Sequence, residues 1–262
     1  MKIEHNISLY VDDVLLYLQH SNSSLSPVIR LLESFSKVSD YSINWSKSTV
    51  LPINCSFQIP LDLHLQSGNI KYLGITVTSK LADLVKFNHI PLLKKIEEDL
   101  EKWKSLPISL MGRVASIKMM VPPRINYLFS MIPNKPSSDW FKSLDSSISK
   151  FIWKDKSPRI SVKTLQKTKD RGGLDLPNFP NLANRLQYIS KWIKHNPLDK
   201  PWIDIEQKIC NNITISDLPF ISANIKRHTC FKNINISSTM TAWWEFLKMT
   251  KSSIIPCSRT PI

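Results

Sequence analysis

Two adjacent carboxylates, Asp12 and Asp13, stand between two short apolar runs, Ile7-Ser8-Leu9-Tyr10-Val11 and Val14-Leu15-Leu16-Tyr17-Leu18. Both runs are rich in β-branched, aliphatic and aromatic residues and have the length of strands. The pattern predicts a β-hairpin with both aspartates at its tip. Asn-Gly and Asp-Gly are the usual dipeptides there, because the favoured turns need positive φ. Asp-Asp instead sets two like charges side by side. A divalent cation would remove that repulsion, and carboxylate oxygens suit Mg²⁺. The same letters also fit an ordinary solvated turn, so the rest of the chain decides between the two.

The elements that would position this tip follow in order. Ser26 is a helix cap and Pro27 suits the first helical position; Val28, Leu31, Leu32, Phe35 and Val38 recur at helical spacing. Asp40-Tyr41-Ser42 ends that helix. Ile43-Asn44-Trp45 and Thr49-Val50-Leu51 read as strand, with Lys47 between them, and Pro52 and Pro60 bracket a loop. Ile70 to Val77 reads as a further strand, in which Gly74 marks a bulge or a close backbone approach. The order predicts an α+β sheet with a helix on one face. From about Phe87 the period becomes helical. One stripe is Leu92, Leu93, Ile96, Leu100 and Trp103; a second is Leu110, Val114, Ile117 and Val121, ended by Pro122-Pro123; a third is Trp140, Phe141, Leu144, Ile148 and Phe151. A later helix carries Leu182, Leu186, Ile189 and Ile193, and Trp243-Trp244 belongs to a small terminal helical cluster before a frayed tail after Ser252.

Composition narrows the class. The 262 residues suffice for one or two domains with a sizeable core, and the net charge of +14 favours a polyanionic partner. No apolar run approaches the ~20 residues that span a bilayer. Met1 to Asn6 is not a signal peptide, so an intracellular protein of cytoplasm or nucleus is expected, not secreted and without a membrane partner. The cysteines (Cys55, Cys210, Cys230, Cys257) are far apart in sequence, with neither zinc-pair nor CxxC spacing, and read as free thiols. Sequons such as Asn212-Ile213-Thr214 read as chance. Cations gather at Lys142, Lys150, Lys154, Lys156, Arg159, Lys163, Lys167 and Lys169, with Trp153 among them. Such a run fits a surface that tracks a nucleic-acid backbone, and equally a solvated helical face.

The succession of these blocks resembles the reverse transcriptases of LINE-type, non-LTR retrotransposons. Tyr10-Val11-Asp12-Asp13 with Leu15 to Leu18 resembles the catalytic hairpin of the palm, Ile43 to Ser48 the next palm motif with its lysine, and Lys71-Tyr72-Leu73-Gly74-Ile75 the primer-grip strand. Leu106 to Arg113 and Ile117-Lys118-Met119 resemble the thumb. Phe151-Ile152-Trp153, Pro158-Arg159-Ile160 and Gly172 to Asn178 resemble the region after it. The resemblance covers about residues 3 to 195. It implies a partial palm over 1–85, thumb-like helices over 86–135 and a basic, mostly helical region over 136–262.

The implied chemistry is nucleotidyl transfer by two Mg²⁺ ions on an RNA template and a DNA primer. Asp12 and Asp13 would be metal ligands, with Lys47 near the leaving phosphates. Tyr72, Leu73 and Gly74 would hold the primer end, and Arg113, Lys118, Lys154, Lys156 and Arg159 would touch nucleic acid. The family's palm also uses an aspartate on an earlier strand. Nine residues precede Tyr10 and Glu4 is their only acid, so no position matches it. Weak or absent Mg²⁺ binding and no polymerisation by the isolated chain are therefore expected, unless a missing N-terminal part is encoded elsewhere. Asp40 stands where many relatives have Gly. The alternative function is a non-catalytic remnant that binds nucleic acid through its basic surface.

Overall fold

The structure is a computed structural model that describes residues 7–19, 21–53, 66–132, 134–179, 189, 191–193, 201–210, 212–221 and 228–250. It divides into two units, 1–84 and 85–262. All described strands belong to the first, and the described part of the second is helical, so the chain mixes helix and sheet.

In the first unit β1 (Ile7–Tyr10) and β2 (Asp13–Leu16) pair antiparallel, from Ile7 opposite Leu16 to Tyr10 opposite Asp13. The turn is therefore Val11-Asp12, one residue earlier than the Asp12-Asp13 tip expected, and Asp13 opens β2. Alternation could not distinguish the two registers. They shift the partner by two residues and leave the same side chains on each face. Ile7, Leu9, Val14 and Leu16 share one face; Ser8, Tyr10, Asp13 and Leu15 share the other.

Helix α1 spans Ser21–Ser39 and carries Pro27 inside, so it starts upstream of the Ser26-Pro27 signal. Leu25 and Ile29, one turn apart, are both buried, and that burial carries the helix across the proline. The buried face differs from the one expected: Leu31, Phe35 and Val38 are exposed. Asp40 follows with φ +58°, the left-handed conformation that commonly ends a helix and costs Asp less than most residues.

Ile43-Asn44-Trp45 is not a strand. The Asn44 carbonyl accepts from the Lys47 and Ser48 N–H groups at 3.1 Å each. Its Oδ1 accepts from Ser46 Oγ at 2.7 Å and Lys47 N–H at 3.2 Å. The Asn side chain thus offers the backbone a turn in place of a ladder, and Lys47 lies in that turn. β3 (Thr49–Val50) then pairs parallel with β4 (Gln66–Ser67). The single strand expected over Ile70 to Val77 is a hairpin, β5 (Ile70–Tyr72) against β6 (Ile75–Val77). Leu73 (φ +47°) and Gly74 (φ +76°) form its turn, a pair of positive φ angles for which Gly at the second place is suited. Among the described residues, three two-stranded sheets replace the one sheet expected.

In the second unit a π-turn, Val85–His89, leads into α2 (Ile90–Lys104), followed by α3 (Leu110–Met131) and α4 (Ser138–Trp153). The three stripes read from the sequence meet in one core, with Ile96, Ile117 and Leu144 at most 1% exposed. Helix α3 does not stop at Pro122-Pro123. Ile125 and Leu128 beyond the prolines are buried, and their packing outweighs the two lost backbone donors. Ser109 and Ser137 cap α3 and α4 by accepting from the Gly112 and Trp140 N–H groups. The Trp140 indole donates to the His89 carbonyl at 2.9 Å. A second core gathers Trp192, Ile203 of α6 (Pro201–Cys210), Leu218, and Trp243 and Trp244 of α7 (Ile234–Thr250). The expected Trp243-Trp244 cluster is thus helical and buried, and Ile189 joins it. Leu182, Leu186, Pro60, Cys55, Cys257, Glu4 and the tail after Ser252 lie outside the described residues. No helix among the described residues is long and apolar enough to cross a membrane.

Two carboxylates on this bundle titrate in opposite senses. Asp99 accepts from Arg124 Nη1 at 2.6 Å, which holds its carboxyl below the ordinary 3.8. That contribution is complete above the unfolded value and is lost as pH falls through the lower folded one. Burial pushes Asp145 of α4 above 3.8, so the fold favours its protonated form. Asp145→Asn should therefore raise the thermal midpoint at pH 7, and the gain should vanish below about pH 4, measured by circular dichroism melts across pH. Leu144→Ala should cost about 3–4 kcal/mol in urea unfolding, because the site is closed on all sides and cannot collapse.

Candidate catalytic hairpin and basic surface

The β1–β2 turn is where local physics and chemistry coincide. Val11 has φ +55° while Asp12 does not have positive φ, the pattern of a type II′ turn, whose first central position favours Gly. A β-branched residue there is a genuine outlier, costing of order 1–3 kcal/mol. Val11 buries nothing in return: it is 88% exposed. The turn leaves Asp12 at the tip and Asp13 at the first strand position, both exposed. Asp13 shares a face with its partner Tyr10. The opposite face is aliphatic and open, with Leu9 67% exposed.

The donor set suits a hard cation in kind. Two carboxylates with room for water and phosphate oxygens is the usual way proteins hold Mg²⁺. Among the described residues, no group of three or more His, Cys, Asp or Glu is arranged to hold a metal ion. Asp12 and Asp13 thus stand as a pair. Lys47 lies exposed in the Asn44 turn. Tyr72, Leu73 and Gly74 sit together at the end of the β5–β6 hairpin, Tyr72 and Leu73 half-buried and Gly74 exposed.

The α3 cations are engaged with backbone. Arg113 donates from Nε to the Ile152 carbonyl at 2.8 Å and from Nη1 to the Ile108 carbonyl at 2.9 Å. It thereby ties the end of α4 to the entry of α3. Lys118 reaches the Leu174 carbonyl at 3.5 Å and Asp175 at 3.6 Å. Both residues hold the ends of one segment, 154–175, and that segment presents the other cations.

This segment is built around a few fixed points. Lys154 and Asp155 leave α4 with φ +49° and +61°. Asp155 pairs with Lys104 at 2.7 Å, and Lys104 also meets Glu101 at 2.6 Å, an arrangement that raises the lysine's affinity for its proton. Ser161 caps the short helix α5 (Val162–Leu165). The Leu165 carbonyl accepts from the Leu174 and Leu176 N–H groups at 3.0 Å each, and the Leu165 and Leu176 side chains enter the first core. Gly172 (φ +74°) closes a 3-10 turn over Lys169–Arg171. At Gly173 a Cβ would lie 1.9 Å from the Lys167 carbonyl oxygen, so only glycine fits. Lys154, Lys156, Arg159, Lys163, Lys167, Lys169 and Arg171 are all exposed along this segment. Asp155 is paired with Lys104, and Asp170 lies 3.9 Å from Arg171.

The hairpin tip lies one residue earlier than the sequence pattern gave it, Arg113 and Lys118 are engaged within the bundle, and the anchoring roles of Ile152, Leu165 and Gly173 were not read from the sequence. The Gly172-Gly173 pair was the available signal for a close backbone approach. No protein-family model matches the chain. Gly173→Ala should cost about 3 kcal/mol through steric clash. Gly172→Ala has open space and should cost about 1 kcal/mol, from backbone conformation alone. Urea unfolding of the two variants distinguishes clash from strain.

Proposed function

We propose that this chain is part of an RNA-directed DNA polymerase of the non-LTR retrotransposon type, with the β1–β2 hairpin contributing carboxylates to a nucleotidyl-transfer centre. The observation that carries the reading is the strained turn: Val11 holds an unfavourable φ and, with Asp13 opening β2, leaves two adjacent carboxylates exposed. Strain of this kind concentrates where a site needs it. Mg²⁺, when bound, supplies Lewis-acid stabilisation of phosphoryl oxygens. Asp12 and Asp13 would hold it. Lys47 would neutralise charge on the departing phosphates or donate a proton there. Tyr72, Leu73 and Gly74 would grip the primer end through shape and backbone contact. The partners are an RNA template and a DNA primer.

Two carboxylates leave most of an octahedral shell to water and substrate, so the pair binds Mg²⁺ weakly without nucleic acid. The isolated chain should not extend a primer with Mg²⁺ and dNTPs. Extension abolished by Asp12→Ala would overturn that inactivity. The metal role has its own test. Mn²⁺ should broaden the Asp12 and Asp13 amide resonances in the presence of an RNA–DNA hybrid and dNTP, and Asp12→Asn with Asp13→Asn should remove the effect. Unchanged resonances would sink the reading.

A non-catalytic nucleic-acid-binding role is the second reading, favoured by the exposed cations of the anchored 154–171 segment. Affinity for an RNA–DNA hybrid should fall steeply with salt, and replacing Lys154, Lys156 and Arg159 by Ala should flatten the log–log slope by about 2–3. Equal affinity for an acidic polymer of similar charge would count against it.

A further inference from the structure

The basic segment that leaves α4 carries a hydroxyl that its own fold does not use. Ser157 follows Lys154 and Lys156 and precedes Pro158 and Arg159. The chain upstream is pinned: the Asp155 N–H donates to the Lys150 carbonyl at 3.0 Å and the Lys156 N–H to the Trp153 carbonyl at 3.1 Å. The chain downstream is pinned by Ser161, which caps α5. Residues 157–160 lie between these fixed points, outside helix and strand, and all are exposed. Pro158 disfavours helical backbone at the residue before it, which holds Ser157 extended.

The other hydroxyls of the segment are occupied or folded into turns. Ser161 Oγ accepts the Thr164 N–H at 3.2 Å and shares a hydrogen bond with Thr164 Oγ1 at 2.9 Å. The Thr168 carbonyl accepts from the Arg171 and Gly173 N–H groups at 3.0 Å each, so Thr168 belongs to the turn that ends at Gly173. Among the described residues the Ser157 hydroxyl has no hydrogen-bond partner. The sequence holds two further Ser/Thr-Pro pairs. Ser26-Pro27 lies inside α1, and Thr260-Pro261 lies outside the described residues. Of the two described pairs, Ser157-Pro158 is the one an enzyme can reach without unwinding a helix.

We propose that Ser157 is a phosphorylation site for a proline-directed protein kinase, and that the phosphate switches off the basic segment. Ser157 Oγ attacks the γ-phosphorus of a nucleoside triphosphate held by that kinase. The Oγ–P bond forms and the bond to the bridging oxygen breaks. A nucleoside diphosphate leaves with the electron pair, and the hydroxyl proton passes to the kinase's base. The product carries about two negative charges at pH 7. Lys154, Lys156 and Arg159 lie within about 11 Å of it along the chain, close to the Debye length of about 8 Å at physiological ionic strength. Asp155 is paired with Lys104 at 2.7 Å, so it does not already neutralise these three. The phosphate cancels about two of their charges and takes their side chains as partners, which withdraws them from a nucleic-acid backbone. That consequence rests on the nucleic-acid reading above; the site itself does not.

The test treats the full chain, with Thr260→Ala to silence the tail, with a proline-directed serine kinase and ATP. Intact mass should rise by about 80 Da, and peptide mapping should place the group on Ser157 and not on Ser26. Ser157→Ala should stay unmodified and keep the unfolding midpoint of the parent chain. Affinity for an RNA–DNA hybrid at physiological salt should fall about tenfold or more on phosphorylation, with the log–log salt slope flatter by about 2, and a phosphatase should restore both. Incorporation at Ser26, Ser161 or Thr168 in place of Ser157, or none at all, would overturn the site. Full incorporation with unchanged affinity and slope would overturn the control of binding. An unphosphorylated chain with no affinity for the hybrid would overturn the nucleic-acid reading and that control with it, while the peptide map still decides the site.

Discussion

Leu144 and Ile117 have no measurable exposure, and the apolar stripes of α2, α3 and α4 close around them. The presentation of positive charge over 154–171 depends on that closure. Arg113 can reach the Ile152 carbonyl because α3 and α4 lie against each other. Lys104 can reach Asp155 because α2 ends beside the exit from α4. Leu165 and Leu176 then enter the same core, and the backbone bonds at the Leu165 carbonyl pin the basic segment between them. The individual ion pairs are partly exposed and worth at most about 1 kcal/mol each. Burial supplies the stability, and the polar contacts set the direction in which the segment leaves the bundle.

The first unit obeys a different balance. Its hairpin exposes an aliphatic face, and its helix exposes Leu31, Phe35 and Val38. Exposed apolar side chains grouped on one face of an element offer surface on which something else can pack. The turn at Val11 spends backbone energy without any burial to offset it. A strained turn, two adjacent carboxylates and an open apolar face are each unfavourable alone.

The second core shows how polar groups are kept inside apolar surroundings. The Trp192 indole donates to Glu206 at 2.9 Å and the Trp243 indole to the Pro219 carbonyl at 2.7 Å. Each satisfies a buried donor that would otherwise cost its full desolvation.

Periodicity alone determined the three stripes of α2, α3 and α4, since side chains that recur every three to four residues must share a helix face. It also determined that two carboxylates sit at or beside a hairpin turn, and that cations cluster after α4. It could not determine the hairpin register, because both registers keep the same faces. It could not carry α1 across Pro27 or α3 across Pro122 and Pro123, because those helices persist only through the burial of residues on the far side. Asn44 and Gly74 changed strands into turns through bonds and angles that depend on a few atoms rather than on a pattern. The burial of Cys210 and Cys230 in one core belongs wholly to the tertiary structure. Contacts between elements distant in sequence are set by how cores close, and no local pattern encodes them.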